Sequence, residues 1–324
     1  AQMIKTILES GKVEDQEFSV LSNPEFLAEG TAISDLENPD RVLIGGEETD
    51  AINALVRIYS KWVDPNKILT TNLWSSELSK LTANAFLAQR ISSINSISAL
   101  CERTGAKVDE VSIAIGTDSR IGKKFLSAGP GFGGSCFKKD ILNLVYISRF
   151  YGLDEVANFW EKIVEINDWQ QNRISKLIVN KFFGTISDKV ITILGFSFKA
   201  NTNDTRESPA IKICKDLLKE GAKLNIYDPK VKPEQIISSL QENEKENFIN
   251  KDSLVCFRNL YDACKNTSAI VIITEWEEFK NINFEKIYKS TVKPTWLFDT
   301  RGISKFNQAK NLGLKVWVLG TGEL

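Results

Sequence analysis

The sequence contains no histidine among its 324 residues. Acid–base chemistry near neutral pH must therefore use carboxylates, lysines, thiols or water, and a Ser-His-Asp or Cys-His nucleophile system is excluded. Its five cysteines are an odd number and include no Cys-x-x-Cys pair. That pattern argues against a disulfide framework and against a zinc site, and it predicts a reducing, cytoplasmic compartment.

Neither sign of charge dominates, since 41 Lys and Arg residues face 42 Asp and Glu residues for a net charge of −1. We therefore expect neither a nucleic acid nor an acidic membrane surface as a partner. The longest apolar runs, such as Ala269–Thr274, have the length of a strand, and no signal peptide opens the sequence. With 42% hydrophobic and 26% charged residues, the chain is globular in composition.

Residues 1–72 carry alternating helix and strand patterns. Strands are expected at Phe18–Leu21, Arg41–Ile44 and Lys67–Thr70, which are too few to close a doubly wound sheet. No strand–GxGxxG–helix unit precedes them. We therefore expect the chain to begin inside a domain.

Residues 73–186 are predicted to be helical. No proline or glycine occurs from Trp74 to Thr104, which predicts one long helix that ends at Gly105. Its apolar and small residues lie nearly all round, so we expect it to be buried by neighbours or by a second subunit. The glycine-rich loop Gly129–Gly134 interrupts this helical region.

From residue 187 onward, strands alternate with helices, which predicts a parallel, Rossmann-like sheet. Such a sheet binds its ligand beyond the carboxyl ends of its strands. The expected strands are Lys189–Leu194, Lys223–Tyr227, Leu254–Phe257, Ala269–Thr274, Trp296–Phe298 and Lys315–Leu319.

The strongest candidate site is the stretch from Gly131 to Asp140. Ser135 is expected to cap the helix that follows and so to place Cys136 in the first turn, where the helix dipole favours the thiolate. Asp140 lies one turn later on the same face. The alternative is a tight turn followed by a cysteine that is simply a buried hydrophobic side chain. For the other four thiols, a buried hydrophobic side chain is the interpretation that we prefer. Those are Cys101, Cys214, Cys256 and Cys264.

Two further segments are weaker candidates. Lys80 and Asn84 are four residues apart on the long helix, where they form either a functional pair or a solvated polar stripe. Glu25 and Glu29 follow a predicted strand, where they mark either a functional loop or an ordinary helix start rich in glutamate.

A third weak candidate is the predicted helix start at Ser208 and Pro209. Such a start can hold phosphate, and Lys199 would supply a counter-charge. A phosphate-bearing nucleotide is therefore a plausible ligand of this part of the sheet.

Together these segments resemble the UDP-glucose 6-dehydrogenase family from about residue 17 to the end. Several motifs occur in the family's order, which is far more specific than any one of them. The matching stretches are Leu21–Gly30, Ser75–Lys80 with Asn84, Phe125–Asp140, Leu194–Lys199, Asn203–Ser208 and Phe298–Arg301.

The resemblance implies an NAD-linked, four-electron oxidation of UDP-glucose to UDP-glucuronate through a cysteine thiohemiacetal and thioester, which water hydrolyses. Related enzymes that act on GDP-mannose or UDP-N-acetyl sugars share much of the pattern. The alternatives are a truncated, inactive paralogue that binds UDP-sugar and dimerises, and a cysteine acyl hydrolase without NAD chemistry.

The resemblance also implies roles for individual residues. Catalysis would use Cys136 as nucleophile, with Lys80, Asn84, Glu25 and Asp140. Besides Lys80 and Asn84, the sugar nucleotide would contact Phe26, Leu27, Ser127, Gly131, Phe132, Gly133, Phe198, Lys199, Arg301 and, from a neighbouring subunit, Arg120. NAD would face Glu29, Cys136, Lys139 and Arg206.

The implied fold is α/β in three parts. A partial NAD-binding Rossmann-like domain would span residues 1–72, a central all-helical dimerisation domain residues 73–186, and a C-terminal Rossmann-like nucleotide-sugar-binding domain residues 187–324. A homo-oligomer is expected, either a dimer through the long helix or a hexamer.

Two features depart from the family pattern. Lys138 stands where proline or glutamine is common, and we expect it to point off the helix start. The family's glycine-rich NAD loop is not found, so the polypeptide is expected to bind NAD poorly, as a fragment of a full-length enzyme or as a shortened paralogue.

Overall fold

The computed structural model describes residues 1–13, 16–242 and 252–324. They form two compact units, residues 1–85 and residues 86–324. No helix in these described ranges has both the length and the apolar character needed to cross a bilayer.

The first unit is built on a β-α-β arrangement. Strands β1 (Val42–Gly45) and β2 (Ile68–Thr71) pair in parallel, and helix α3 (Thr49–Tyr59) connects them. The buried side chains of Val42, Ile44 and Val63 pack against α3 and close a small core. Two shorter helices precede this arrangement, α1 (Gln2–Ser10) and α2 (Ala32–Glu37).

The expected strand at Phe18–Leu21 is wrong. The segment forms no ladder, and the pairing comes one residue later, where Ser22 and Gly45 make an isolated antiparallel bridge with N–H···O distances of 2.8 and 2.7 Å. Pro24 lacks an N–H group, so the pairing cannot continue through that residue. The result is a loop that is fastened at one point to the end of β1.

Helix α4 (Leu73–Thr104) is the long helix that the sequence predicts. It ends as expected at Gly105, which has a φ of +81° and donates its N–H to Cys101 O at 3.0 Å. Its last part belongs to the second unit together with α5 (Val108–Thr117), α6 (Phe137–Phe150) and α7 (Asp154–Lys181).

The described residues of the second unit also form a seven-stranded sheet in the order β5-β4-β3-β6-β7-β8-β9. The pairing is parallel except at β9, which runs antiparallel to β8. The strands are β3 (Val190–Leu194), β4 (Lys223–Tyr227), β5 (Leu254–Phe257), β6 (Ala269–Ile272), β7 (Trp296–Asp299), β8 (Lys315–Val318) and β9 (Gly322–Glu323). The helices between them are α8 (Pro209–Lys219), α9 (Pro233–Gln241), α10 (Leu260–Ala263), α11 (Phe284–Ser290) and α12 (Phe306–Asn311).

Both faces of this sheet are buried, as the apolar strand sequences require. Ile191 and Ile193 of β3 point into one core cluster, whereas Leu194 points into the other. Chain order reverses at β3, which places a topological switch point, the usual ligand crevice of such sheets, between β3 and β6. The expected Rossmann-like topology is confirmed.

Candidate active site

In the first unit, the loop after Ser22 is held against strand β1 by polar side chains. Asn23 donates its Nδ2 to Leu43 O at 2.8 Å and accepts from Tyr59 Oη at 2.7 Å. Gly45 is required at this point because a Cβ there would lie 2.3 Å from Cβ of Ser76. The loop is therefore fixed before it reaches Glu25.

Lys80 and Glu25 come together within this unit. The Lys80 ammonium donates to Glu25 Oε1 at 3.0 Å and to Glu25 O at 2.5 Å. The Phe26 ring lies between two cations, with Arg41 Cζ 3.8 Å and Lys80 Nζ 5.6 Å from its centroid. Asn84 is buried. A solvated polar stripe is therefore the wrong description of Lys80 and Asn84.

The stretch around Glu25 is a loop and not a helix start. Leu27 N donates to Glu25 Oε2 at 2.8 Å, and Ala28 N donates to Asp35 Oδ2 at 2.8 Å. Glu29 is exposed beside this turn. The helix that follows, α2, begins only at Ala32, and the sequence patterns gave no sign of it.

In the second unit, buried side-chain amides hold the glycine-rich loop. Asn95 Oδ1 accepts from Gly129 N at 2.8 Å, and Gln170 Nε2 donates to Gly129 O at 2.7 Å. Asn167 binds both the N–H and the carbonyl of Phe132, at 2.8 and 3.1 Å. Each amide thus pairs with main-chain groups as a neighbouring strand would.

These supporting amides were missed in the sequence. They lie on helices α4 and α7, far along the chain from the loop that they hold. One local signal was present, since polar residues recur on α7 at the three- and four-residue spacing of a helix face. They are Asn167, Gln170, Gln171 and Ser175, all buried.

The loop also needs glycine for space. A Cβ on Gly133 would lie 2.4 Å from Glu207 O and 2.9 Å from Phe198 Cβ, both on the sheet side of the loop. Gly134 has a φ of +84° and donates its N–H to Arg206 O at 2.9 Å. The loop therefore packs directly on the segments around Phe198 and Arg206.

The cap of the following helix differs from our expectation. Cys136 itself is the N-cap of α6, Phe137 is the first helical residue, and no side-chain cap bond is made. The Ser135 hydroxyl instead lies 3.6 Å from Cys136 Sγ. The glycines up to Gly134 fix the direction of the chain in the loop. Helix α6 therefore begins one residue later than it would with Ser135 as its N-cap. Cys136 is half-buried and Asp140, one turn on, is buried.

Lys138 and the nearby expected NAD contacts have distinct environments. Lys138 does not point freely off the helix start, because its Nζ pairs with Glu207 Oε2 at 3.0 Å. Lys139 is exposed. Arg206 is also exposed, and its guanidinium binds both carboxylate oxygens of Asp204.

Arg301 is held at the carboxyl edge of the sheet. Its Nε donates to Ile273 O at 2.7 Å and lies 3.0 Å from Glu275 Oε2. A Cβ on Gly129 would lie 2.7 Å from Arg301 Nη1, so the guanidinium rests against the glycine-rich loop. This side chain is 15% exposed, and the structure brings it together with the predicted nucleotide loop.

Among the other expected sugar-nucleotide residues of this unit, Gly131, Phe132 and Gly133 are buried, and the remainder are half-buried or exposed. Ser127 is exposed, and Phe198 and Lys199 are half-buried, with Lys199 Nζ 5.5 Å from the Phe198 centroid. Arg120 is 88% exposed at its side chain and pairs with Asp118. That ion pair lowers the pKa of the Asp118 carboxyl, mainly by the side-chain hydrogen bond from Arg120.

Two strand-end carboxylates stabilise loops. Asp228 Oδ2 accepts from Phe196 N at 2.7 Å and from Trp276 Nε1 at 3.1 Å. Asp299 Oδ2 accepts from Ser304 N at 2.8 Å. Both carboxylates are buried and accept main-chain N–H bonds, so they hold the loops at the carboxyl edge of the sheet in place.

The five thiols should differ in reactivity. Burial raises the pKa of Cys264 to about 12 and that of Cys256 to about 11, and it raises the pKa values of Cys101 and Cys214. Cys136 is half-buried at the N-cap position of helix α6. We expect iodoacetamide at pH 7.5 to label Cys136 at least about tenfold faster than each of the other four thiols, because burial raises their pKa values and restricts access to them. Peptide mass spectrometry would test this, and equal labelling of Cys256 would contradict it.

The fold and site define a class of protein. A parallel β-α-β unit, a long helix and a doubly wound sheet with a glycine-rich loop over its carboxyl edge characterise a nucleotide-binding α/β protein. Within this class, the sequence motifs and the thiol at the start of α6 are typical of a smaller group of proteins. Similarity to known proteins identifies that group.

The chain belongs to the UDP-glucose/GDP-mannose dehydrogenase family. Its residues 1–63 match the family's NAD binding domain, residues 74–169 its central domain and residues 192–306 its UDP binding domain. The expected fold class, with these three kinds of domain, is confirmed.

Named relatives support the same conclusion. The UDP-glucose 6-dehydrogenase of Drosophila melanogaster is 53% identical over 99% of this chain, which covers 68% of that protein. The Bos taurus enzyme is 52% identical, with 99% of this chain and 66% of the relative covered. The structure of a UDP-glucose dehydrogenase from Pyrobaculum islandicum has a TM-score of 0.82 at 28% identity, covering 95% of this chain and 67% of that one. The chain thus spans about two thirds of these relatives' length.

Proposed function

We propose that the protein oxidises UDP-glucose to UDP-glucuronate with NAD and that Cys136 carries the sugar carbon between the two oxidations. One observation supports this proposal most directly. The half-buried Cys136 thiol begins a helix immediately after a glycine-rich loop whose main chain is fixed by buried amides. That arrangement suits a nucleophile that must meet a ligand held by the loop.

The first unit is proposed to contribute part of the NAD site of the complete enzyme. Its parallel strands and crossing helix form the repeating element of dinucleotide-binding sheets, and the family's NAD-binding match lies here. By resemblance to the family, Glu29, Lys139, Arg206 and Cys136 are proposed to contact NAD, and the first three of these side chains are exposed. Each NAD+ that binds would accept one hydride, so the two oxidations of the same carbon would use two NAD+ molecules in succession.

The covalent steps take place at the sulfur of Cys136. The Cys136 thiolate adds to the aldehyde carbon and forms a C–S bond, and the carbonyl oxygen takes up a proton to give the thiohemiacetal. The second oxidation leaves a thioester at the same sulfur. Water attacks its carbonyl carbon, the C–S bond breaks, and carboxylate and thiol are released.

Charged and polar side chains serve the oxygen and the proton transfers. Lys80 is proposed to stabilise negative charge on the reacting oxygen, together with Asn84. Glu25, which already accepts from the Lys80 ammonium, is proposed to move protons and to activate the hydrolytic water. Asp140 is a second, buried carboxylate for proton transfer one turn after the nucleophile.

The nucleotide sugar is proposed to bind the glycine-rich loop through main-chain amides. The contributing residues are proposed to be Phe26, Leu27, Ser127, Gly131, Phe132, Gly133, Phe198, Lys199 and Arg301, together with Lys80 and Asn84 in their catalytic positions. Arg301 rests on this loop and supplies a positive charge for the diphosphate.

We propose a homo-oligomer whose dimer contact uses α4, with Arg120 reaching the neighbouring subunit. Large apolar side chains of the helical region are exposed, which is unusual for a surface without a partner. They include Phe86, Leu100, Ile113, Tyr146 and Phe150. The proposed division into domains at residues 72 and 186 places these side chains in the central one.

Thermal unfolding with a panel of nucleotide sugars tests the substrate. At a hundred times its dissociation constant, UDP-glucose should stabilise the fold by about 2.7 kcal/mol and raise Tm by roughly 5 °C. GDP-mannose and UDP-N-acetylglucosamine should raise Tm less, and NAD alone should not raise it.

Two variants sharpen this measurement. Arg301→Gln should reduce the UDP-glucose shift, because the charge beside the loop is removed. Lys176→Gln, an exposed position on α7, is the matched control and should leave the shift unchanged. A larger shift with GDP-mannose, or a shift with NAD only, would contradict the proposed substrate.

A further inference from the structure

The peptide groups of Gly129 are clamped from both sides by side-chain amides. Asn95 accepts from its N–H, and Gln170 donates to its carbonyl. Both side chains are completely buried. The orientation of the Gln170 amide therefore decides whether its NH₂ group or its oxygen faces the Gly129 carbonyl, and only the former gives a hydrogen bond.

Arg173 fixes that orientation. Its Nε donates to Gln170 Oε1 at 2.7 Å, so the oxygen of the amide is turned toward the guanidinium and the NH₂ group toward Gly129. Its Nη2 also donates to Ser98 Oγ at 3.2 Å. With Nη1, which donates to Glu102, three separate nitrogens of one planar group are used, and a lysine could not reproduce this arrangement.

Glu102 holds the guanidinium in turn. Its two carboxylate oxygens accept from Nη1 and Nη2 of Arg173 at 2.9 and 3.0 Å, and the two side chains are 12% and 16% exposed, respectively. Glu102 Oε1 also accepts from Gly320 N at 2.9 Å, in the turn that ends β8. A largely buried ion pair with these additional hydrogen bonds has a defined geometry.

We propose that Arg173 is a positioning residue for the nucleotide-sugar loop and acts through the Gln170 amide. The chain of contacts runs from Gly320 and Glu102 through Arg173 and Gln170 to the carbonyl of Gly129. This inference rests on the proposed function for its ligand, UDP-glucose, but the loop geometry itself is independent of any ligand.

Hydrogen exchange of the free protein tests the geometry. In Arg173→Lys, the Gln170 amide loses its orienting donor, so exchange in the peptide around Gly129 should become about tenfold faster, as expected for loss of a hydrogen bond to a charged group. Exchange of strand β3 should not change. Arg149→Lys is the matched control, because Arg149 pairs with Glu161 at the surface of α6 and α7.

Binding of UDP-glucose by calorimetry tests the consequence. Arg173→Lys should weaken binding by about tenfold, by the same loss of one charge-assisted hydrogen bond. Gln170→Met, which keeps the Arg173–Glu102 pair, should weaken it similarly. In the Gln170→Met background, Arg173→Lys should add less than about twofold, because the two residues act in series.

The outcomes separate this inference from the proposed function. Unchanged exchange around Gly129 in both single variants, or additive losses of affinity, would overturn the positioning role. If Arg173→Lys does not fold, Gln170→Met alone decides. It removes the hydrogen bond to the Gly129 carbonyl and leaves the buried Arg173–Glu102 ion pair in place. If the unaltered protein does not bind UDP-glucose, the proposed function fails, while the exchange result still decides the loop.

Discussion

In the complete enzyme, replacing Cys136 with serine is expected to abolish net NADH turnover and, with it, net formation of UDP-glucuronate. A hydroxyl is a far weaker nucleophile than a thiolate at neutral pH, so the aldehyde would not be captured and the second oxidation would lack its covalent intermediate. Loss of a covalent nucleophile lowers turnover by roughly 10³–10⁶-fold. The measurement is NADH formation from UDP-glucose followed by absorbance, together with product analysis.

Binding and a second thiol provide the controls for this variant. Cys136→Ser changes one atom at the helix start, so its dissociation constant for UDP-glucose should stay within about twofold of the parent value. Cys256→Ser, at another half-buried thiol in β5, should retain full turnover. Wild-type-like turnover in Cys136→Ser would refute the covalent mechanism.

Gly133→Ala is expected to remove most of the UDP-glucose affinity. The added methyl would lie 2.4 Å from Glu207 O, which is main chain and cannot rotate away, and 2.9 Å from Phe198 Cβ. Relief requires the loop to move off the sheet, at a cost of about 1–3 kcal/mol, equivalent to roughly 5–150-fold in affinity. Calorimetric titration with UDP-glucose measures this change.

A glycine elsewhere provides the comparison. Gly11, after helix α1, has a φ of −100° and room for a methyl group, since the nearest atoms would be 3.9 and 4.0 Å away. Gly11→Ala should leave affinity unchanged. Unchanged affinity in Gly133→Ala as well would show that the packing of this loop on Phe198 and Glu207 does not matter for binding.

The regular elements of the chain could be predicted because their signals are local. Strands β4 and β5 have the predicted limits, and α4 begins one residue before its predicted start. Continuous apolar runs and a glycine stop are sufficient in these cases. Phe18–Leu21 had a strand-like composition, but pairing depends on a neighbour, which the composition of one segment does not specify.

The candidate site was predictable to the extent that its signal lies in one stretch. The glycines before Cys136 and the carboxylate at Asp140 are contiguous, and the structure keeps them at one loop and one helix start. The groups that hold the loop come from elsewhere in the chain. Asn95, Gln170 and Arg173 meet the loop through tertiary packing, so their partners could not be derived from spacing alone.

The proposed chemistry depends most on a covalent bond between the sugar carbon and the sulfur of Cys136. The direct measurement is the mass of the peptide that contains Cys136 after the complete enzyme is mixed with UDP-glucose and NAD and quenched in acid. We expect a fraction of this peptide to carry the mass of the bound nucleotide-sugar acyl group, and none to carry it when NAD is omitted. A protein that makes UDP-glucuronate while this peptide stays unmodified at every quench time, and that still does so after alkylation of Cys136, would contradict the account.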